Sequence, residues 1–254
     1  MGILCALLSL PVSILLTKWL VKKKTGNPFE KGDVRRLIIN GMLSMVVASV
    51  VSLLIVGIRV FFIIGMDNIK ILINNPDPET IESSLKGITD MASSQSYWSS
   101  FAGTFLSVGL VEELSRFLFI KISTGKKNYA KTCFDLVICG GIVGIGFQLI
   151  EDVLYANDGL ITVIFRIVTP FHFTFGAVMG FFIGKALESG KKSYYIPAIL
   201  IPAILHSLFD SSLFATTTND MFIILVLASI LFLIGLTVFM IVKIHKWSKL
   251  GNSH

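Results

Sequence analysis

Apolar residues along this 254-residue chain form seven separate runs, and polar segments divide each run from the next. A run of about 20 apolar residues crosses the hydrocarbon core of a bilayer as one α-helix. The pattern therefore predicts an all-α fold: a polytopic bundle of about seven transmembrane helices, with residues 1–254 as a single integral membrane domain. The predicted spans are 2–21, 38–66, 98–120, 135–156, 161–185, 195–215 and 221–242.

One polar segment, residues 67–97, is long enough to have structure of its own. Asp77 and Pro78 are typical of a helix start, because aspartate caps a helix and proline suits its first position. Apolar residues then recur at helical spacing, namely Ile81, Leu85, Ile88 and Met91. We expect a short amphipathic helix on the outer membrane surface, and the alternative is a solvated linker with one helical turn.

Composition excludes several classes of protein. Hydrophobic residues make up 54% of the chain and charged residues only 15%, whereas a soluble domain carries about 25% charged residues. Too few charges are present to cover the surface of a soluble enzyme, and a disordered protein would be far more polar. The composition instead indicates a protein whose surface faces lipid.

The net charge of +6 reflects topology and not a nucleic-acid partner. Seventeen of the 22 basic residues fall in the linkers after the first, third and fifth spans, at the span ends that border these linkers, or in the C-terminal tail. The opposite linkers contain only Lys70 and Lys86. Because cytoplasmic loops are enriched in lysine and arginine, we expect the N-terminus outside and the C-terminus in the cytoplasm.

The candidate chemistry lies inside the apolar runs. A charged side chain near the bilayer centre costs roughly 2.5–3.5 kcal/mol, and such residues usually face the bundle interior and are functional. Charges at span ends that reach the interface would be the simpler explanation. It fits Asp152 and Arg166 but not Glu112, Glu113 or His206. The ionisable residues within spans are Glu112, Glu113, Arg116, Glu151, Asp152, Arg166, His172, His206 and Asp210.

The spacing of these residues predicts which of them meet. Glu112 and Arg116 are four residues apart, so they share a helix face, and we expect them to form an ion pair. His206 and Asp210 have the same spacing. The fourth span contains Gly140, Gly141, Gly144 and Gly146. Small residues allow close helix packing, which should bring Glu151 near the other groups.

These motifs resemble a known family. Glu112-Glu113-x-x-Arg116, Phe147-x-x-x-Glu151 and His206-x-x-x-Asp210 occur in order on three spans. They are similar to the EExxK/R, FxxxE and HxxxD motifs of the PrsW family of intramembrane proteases, and the stretch around His172 resembles that family's histidine-containing span. The resemblance covers about residues 98–215, which we take as the catalytic core. The departures are Arg116 where lysine is commoner, Asp152 where asparagine is usual, and the long 67–97 segment.

The resemblance implies cleavage of a membrane-anchored protein in the bacterial cytoplasmic membrane, typically a single-span anti-sigma factor cut on or near the outer side. The related CAAX prenyl endopeptidases show EExxxR and FxxxH instead, so Glu151 and the spacing before Arg116 favour the PrsW branch. A CAAX-type endopeptidase and a proton- or ion-coupled transporter remain alternatives. A transporter would predict inverted repeats between the two halves, and the sequence shows none.

Peptide hydrolysis needs a base, a proton for the leaving amine and stabilisation of the oxyanion. We expect Glu112 to be the base with Arg116 orienting it, and Glu151 to share a proton with it. No metal is predicted, because carboxylates outnumber histidines; zinc is the less favoured alternative. The predicted catalytic residues are Glu112, Glu113, Glu151, His172, His206 and Asp210, with Arg116 and Arg166 in supporting roles.

Overall fold

The computed structural model describes residues 2–74, 96–154, 169–215 and 223–250, together with residues 78–79, 81–83 and 86. The elements in these ranges are all helical, which confirms the predicted all-α class. A π-helical turn, Phe105–Gly109, joins α3 to α4 in one continuous rod, and a 3₁₀ turn, Lys192–Tyr194, leads into α7. The helices are α1 (Gly2–Lys23), α2 (Asp33–Asn74), α3 (Tyr97–Thr104), α4 (Leu110–Thr124), α5 (Cys133–Leu154), α6 (Phe171–Ser189), α7 (Tyr195–Ala215) and α8 (Ile223–Leu250).

Four segments of the described chain are long and apolar enough to cross a membrane: Asp33–Phe62, Cys133–Leu154, Lys192–Leu213 and Ile223–Leu250. They are typical of an integral membrane protein. The count of seven spans and the orientation of the chain stay predictions.

Three helices differ clearly from the predicted spans. The seventh span was expected to end at 242, but α8 continues to Leu250. The second span was expected to end at 66, but α2 continues to Asn74 and takes up the start of the predicted outer segment. The fifth was expected to run from 161 to 185, but its described helix, α6, starts at Phe171, and residues 161–168 lie outside the described residues. Thr169 and Pro170 are not helical, because proline has no backbone N–H and disfavours helical geometry in the residue before it. Arg166 and most of the expected amphipathic helix after Asp77 lie outside the described residues.

Helix α5 is the centre of the bundle. In the most apolar 18-residue stretch of α5, 83% of the residues are buried, whereas only 11% are buried in the corresponding stretch of α2. The side of α5 that faces α6 is built from glycines at a spacing of one helical turn. A Cβ atom at Gly140 would lie 2.1 Å from the carbonyl oxygen of Gly176, and one at Gly144 would lie 1.9 Å from that of His172. The two backbones therefore touch, which confirms the close packing predicted from the glycines.

Buried polar contacts tie together the helix ends that carry the basic linkers. Lys24 after α1 forms an ion pair with Asp135 at the start of α5, and both side chains are almost fully buried. Arg36 near the start of α2 donates a hydrogen bond to the hydroxyl of Tyr129, which lies between α4 and α5. The first and third linkers therefore meet at one end of the bundle.

The remaining basic segments lie at the same end. The backbone N–H of Cys133 donates to Glu188 near the end of α6, at 3.0 Å. Trp247 in the last turns of α8 stacks on Phe181 of α6, with ring centroids 6.1 Å apart. All four basic segments thus share one end, which is the arrangement that their alternation along the chain predicts.

Candidate active site

Four helices place ionisable side chains in one buried cluster: Glu112, Glu113 and Arg116 on α4, Glu151 on α5, His172 on α6, and His206 and Asp210 on α7. Glu113 and Arg116 are completely buried. Asp210 is the most open of the cluster's ion-paired side chains, at 20% exposure. Asp152, which we expected to reach the interface, is in fact buried.

Arg116 is the centre of the hydrogen-bond network. Its Nη1 atom donates to Oε2 of Glu113, and its Nη2 atom donates to Nδ1 of His172 at 2.8 Å. The guanidinium also lies over the ring of Phe147, 4.0 Å from the centroid. The expected ion pair between Arg116 and Glu112 is therefore wrong. Residues three apart on a helix are neighbours as much as residues four apart, and Glu113 has the three-residue spacing.

The arginine also decides the tautomer of His172. A guanidinium stays protonated in proteins and can only donate, so Nδ1 of His172 must accept. The hydrogen of the neutral imidazole then lies on Nε2, and this atom contacts Oε2 of Glu151. Arg116 thereby directs a hydrogen bond from His172 to Glu151, across α4, α6 and α5.

His206 lies at the meeting point of three carboxylates. Its Nδ1 atom is 3.1 Å from Oε1 of Glu113. Its Nε2 atom lies 3.7 Å from Oε2 of Glu112 and 3.4 Å from Oδ2 of Asp210, so the expected proximity of His206 and Asp210 is confirmed. Because Glu113 is already paired with Arg116, it accepts the Nδ1 hydrogen, and the Nε2 edge faces Glu112 and Asp210.

Aromatic rings surround the cluster. Phe147 packs on His172 at a centroid distance of 4.9 Å, and Phe175 lies 5.7 Å from His206. The two imidazoles are themselves 5.3 Å apart. Sequence reasoning missed Phe175, although its position three residues after His172 places it on the same helix face. These rings keep the dielectric low, which strengthens the charge interactions within the cluster.

Two sets of three donor atoms converge to within 4.8 Å of one another among the described residues: Glu113, His172 and His206, and also Glu112, Glu151 and His206. The first set includes two residues, Glu113 and His172, whose side chains Arg116 already engages. In the second set, Oε2 of Glu112 is buried and accepts no hydrogen bond from any group the structure describes. The second set is thus the one with an open acceptor.

Comparison with known proteins identifies the family. The model of a family described as "PrsW family intramembrane metalloprotease" matches residues 39–240. The chain belongs to this family. The PrsW match confirms the resemblance seen in the motifs and does not favour the transporter or the CAAX-type alternative.

The chain is similar to several curated bacterial proteins named Protease PrsW. It is 30% identical to that of Bacillus subtilis (strain 168) over 117 residues, which cover 44% of this chain and 54% of the relative. It is 33% identical to that of Geobacillus kaustophilus (strain HTA426) over 119 residues, 45% of this chain and 53% of the relative. The chain thus spans about half the length of the curated relatives it matches. No solved structure matches it.

The family description implies a metal, and the second donor set fits one. With Nδ1 of His206 bonded to Glu113, its Nε2 lone pair faces the oxygens of Glu112 and Asp210. Acceptor atoms that face one another need a proton or a cation between them. A carboxylate on the far nitrogen of a histidine is also the usual support for a metal ligand. Protein ligands of zinc lie about 3.3 Å apart at bond lengths of ~2.0 Å, close to the 3.7 Å observed between Nε2 of His206 and Oε2 of Glu112.

Proposed function

We propose that this chain is an intramembrane endopeptidase that hydrolyses a peptide bond in a membrane-anchored protein, of the single-span anti-sigma factor class. The observation that carries the proposal is the buried cluster of carboxylates and imidazoles that α4, α5, α6 and α7 assemble within apolar surroundings. The membership of the chain in the PrsW family supports the same conclusion. Nothing in the packing of the bundle requires so many buried charges, and their cost indicates a chemical role.

Glu112 is the base in this proposal. Glu113 has both carboxylate oxygens engaged, one by Arg116 and the other by His206. Glu112 has a buried oxygen without a hydrogen-bond partner among the described residues, so it can accept the proton of an attacking water. Glu113 instead positions His206 and keeps its Nε2 edge toward the substrate side.

Glu151 and His172 support this base. A ligand oxygen of Glu151 lies within 4.8 Å of that of Glu112, and two carboxyl groups this near each other in a low-dielectric site disfavour being ionised together, so that one of them holds a proton. That proton is the one that the leaving amine takes up. His172 fixes Glu151 through the hydrogen bond that Arg116 directs.

His206 and Asp210 face the substrate. Asp210 is partly exposed, unlike the other ion-paired side chains of the cluster. A peptide therefore approaches the cluster from the side of Asp210. The Nε2 edge of His206 beside it is placed to hold the water or to stabilise the oxyanion that forms on the scissile carbonyl.

Glu112, Glu151 and His206 are the residues that would hold the metal. When bound there, a divalent cation would supply a Lewis acid that acidifies water and polarises a carbonyl group. These three side chains would then be ligands, and Glu112 would leave to the cation the activation of water that it performs when no metal is bound. The donor set and the family description together favour this arrangement over the metal-free mechanism expected from the sequence.

Reconstitution tests the proposal. The purified chain is placed in vesicles with a panel of single-span membrane proteins, and truncated products are sought by gel and mass spectrometry. We expect cleavage by the wild type and none by Glu112→Gln, with equal thermal unfolding. Glu30→Gln, which changes an exposed carboxylate in the linker after α1, is the matched control and should cleave normally. Absence of product with every substrate, or full activity of Glu112→Gln, would refute the proposal.

A further inference from the structure

A glycine directly before α4 makes a very close contact with α7. Gly109 is the last residue of the π-helical turn that leads into α4. A Cβ atom at this position would lie 2.0 Å from Oγ of Ser207 and 2.9 Å from the carbonyl oxygen of Ala203. No side chain fits there unless one of the two helices moves.

The partner surface on α7 is fixed. Ser207 is fully buried, and its hydroxyl donates to the carbonyl oxygen of Ala203 at 2.7 Å. The hydroxyl oxygen is therefore held at the contact and cannot rotate away without losing this bond.

The contact lies beside the catalytic groups. Ser207 directly follows His206, and Gly109 precedes Glu113 by four residues, which is one turn of helix on the same face. The hydrogen bond between Nδ1 of His206 and Glu113, at 3.1 Å, is thus the next contact along the same helix pair.

The other side of α4 is anchored as well. Ser115 donates through its hydroxyl to the carbonyl oxygen of Ser44 on α2, at 2.7 Å, and both residues are buried. Because α4 is held against α2 there, the Gly109 contact determines how closely α7 can approach it. The π-helical turn, a geometry that is frequent at functional sites, brings Gly109 to this position.

We infer that Gly109 and Ser207 are positioning residues, whose contact sets the separation of α4 and α7 at which His206 reaches Glu113. The inference depends on the proposed function only in that it makes this hydrogen bond important for catalysis. A methyl group at Gly109 would have to move from 2.0 Å to at least 3.4 Å from Ser207 for ordinary contact. A hydrogen bond of 3.1 Å that lengthens by about an ångström is lost.

Variants of the full chain test this inference. Gly109→Ala should break the hydrogen bond, and adding Ser207→Ala, which removes the nearest clashing atom, should restore most of it. Ser207→Thr adds bulk to the same contact and serves as a milder second variant. Gly57→Ala on α2 is the matched control, because no side chain or neighbouring helix among the described residues lies within 4 Å of a Cβ at that position.

The readout is the slowly exchanging Nδ1 proton of His206 in spectra of histidine-labelled protein in micelles, identified by its absence in His206→Gln. We expect the signal in the wild type, in Gly57→Ala and in the double variant, but not in Gly109→Ala. A signal that persists in both Gly109→Ala and Ser207→Thr would overturn the inference, and so would a double variant that regains neither signal nor thermal stability.

Cleavage is measured on the same preparations. We expect kcat of Gly109→Ala to fall on the order of 100-fold, the effect of a misplacement of about 1 Å, with KM little changed and kcat partly recovered in the double variant. If the wild type shows the histidine signal but cleaves no substrate, the proposed function fails while the positioning contact stands. A normal kcat in a Gly109→Ala protein that has lost the signal would overturn the positioning role.

Discussion

A single arginine determines the direction of the hydrogen bonds on one side of the site. Arg116 can only donate, so Glu113 and Nδ1 of His172 must both accept from it. Because Nδ1 of His172 accepts, its Nε2 atom donates to Glu151. Glu113 also accepts a hydrogen bond from Nδ1 of His206. Only a planar group with several donors in a fixed fork can contact two acceptors on different helices in this way.

We therefore expect Arg116→Lys to impair cleavage although it conserves the charge. An ammonium group is compact and cannot bridge Glu113 and His172 while covering the ring of Phe147. Loss of such a supporting contact around a metal or catalytic centre costs roughly 10–100-fold. The measurement is kcat/KM in vesicles, together with thermal unfolding to confirm that the variant is folded. Wild-type kcat/KM in Arg116→Lys would show that one charge is enough and that the fork is not required.

The sequence was sufficient to find the members of this cluster but not their pairing. Charged residues within apolar runs are costly, so each of them stands out. Spacings of three and four residues both place side chains together on a helix, and for this reason the sequence could not decide whether Arg116 pairs with Glu112 or with Glu113. The role of Glu113 depends on His206, which lies on another helix, and only the packing of α7 against α4 reveals it.

Zinc binding tests whether Glu112 and His206 are metal ligands. We expect zinc to raise the unfolding temperature of the wild type, because a ligand that binds only the folded state stabilises it, by about 2.7 kcal/mol at 100 times Kd. Glu112→Gln and His206→Gln should lose the effect, and Glu30→Gln should retain it. Exhaustive chelation should abolish cleavage, and zinc should restore it. Unchanged cleavage after chelation, with no thermal shift on adding zinc, would return the mechanism to the metal-free one expected from the sequence.

At the scale of helices, the contact of α5 with α6 brings Glu151 to His172. The glycines of the fourth apolar run predicted a close approach but not its partner, since a glycine pattern does not specify which backbone it will face. Gly144 in fact packs on the carbonyl group of His172 itself. The ends of α2 and α6 were harder to predict, because hydrophobicity continues past Phe62 and ahead of Pro170 without marking where the helix stops.

Gly144→Ala should therefore reduce both stability and activity. The added methyl group would lie 1.9 Å from the carbonyl oxygen of His172, so α6 must shift, and overpacking of this kind costs roughly 1–3 kcal/mol. The shift also draws His172 away from Glu151. Thermal unfolding in detergent and kcat are measured in parallel. Gly235→Ala on α8 is the control, since no atom lies within 4 Å of its Cβ position; equal stability of the two variants would contradict the account.

In the bundle as a whole, the basic segments lie at the same end as the polar contacts that join the helix ends. The pair Lys24–Asp135 and the hydrogen bond from Cys133 to Glu188 close one end of the bundle. Breaking a buried ion pair by removing one partner is strongly destabilising, so these contacts fix the helix ends relative to one another. The alternation of basic and non-basic linkers predicted this grouping, because each basic linker by itself indicates the cytoplasmic side. It could not predict the contacts themselves, which join residues 111 and 55 positions apart.

The orientation of the bundle in the membrane is the remaining prediction. Because basic loops are retained in the cytoplasm, single cysteines at Lys126 and Lys192 should react with a membrane-impermeant maleimide only after the cells are permeabilised. A cysteine at Ser84, in the acidic segment on the opposite side, should react in intact cells. Of the three cysteines, Cys133 and Cys139 are buried, and Cys5 is replaced by serine in the parent protein, which gives the background. Reactivity of Lys126 and Lys192 in intact cells, with Ser84 protected, would reverse the orientation. Different behaviour at Lys126 and Lys192 would contradict the shared end itself, since both positions are exposed on it.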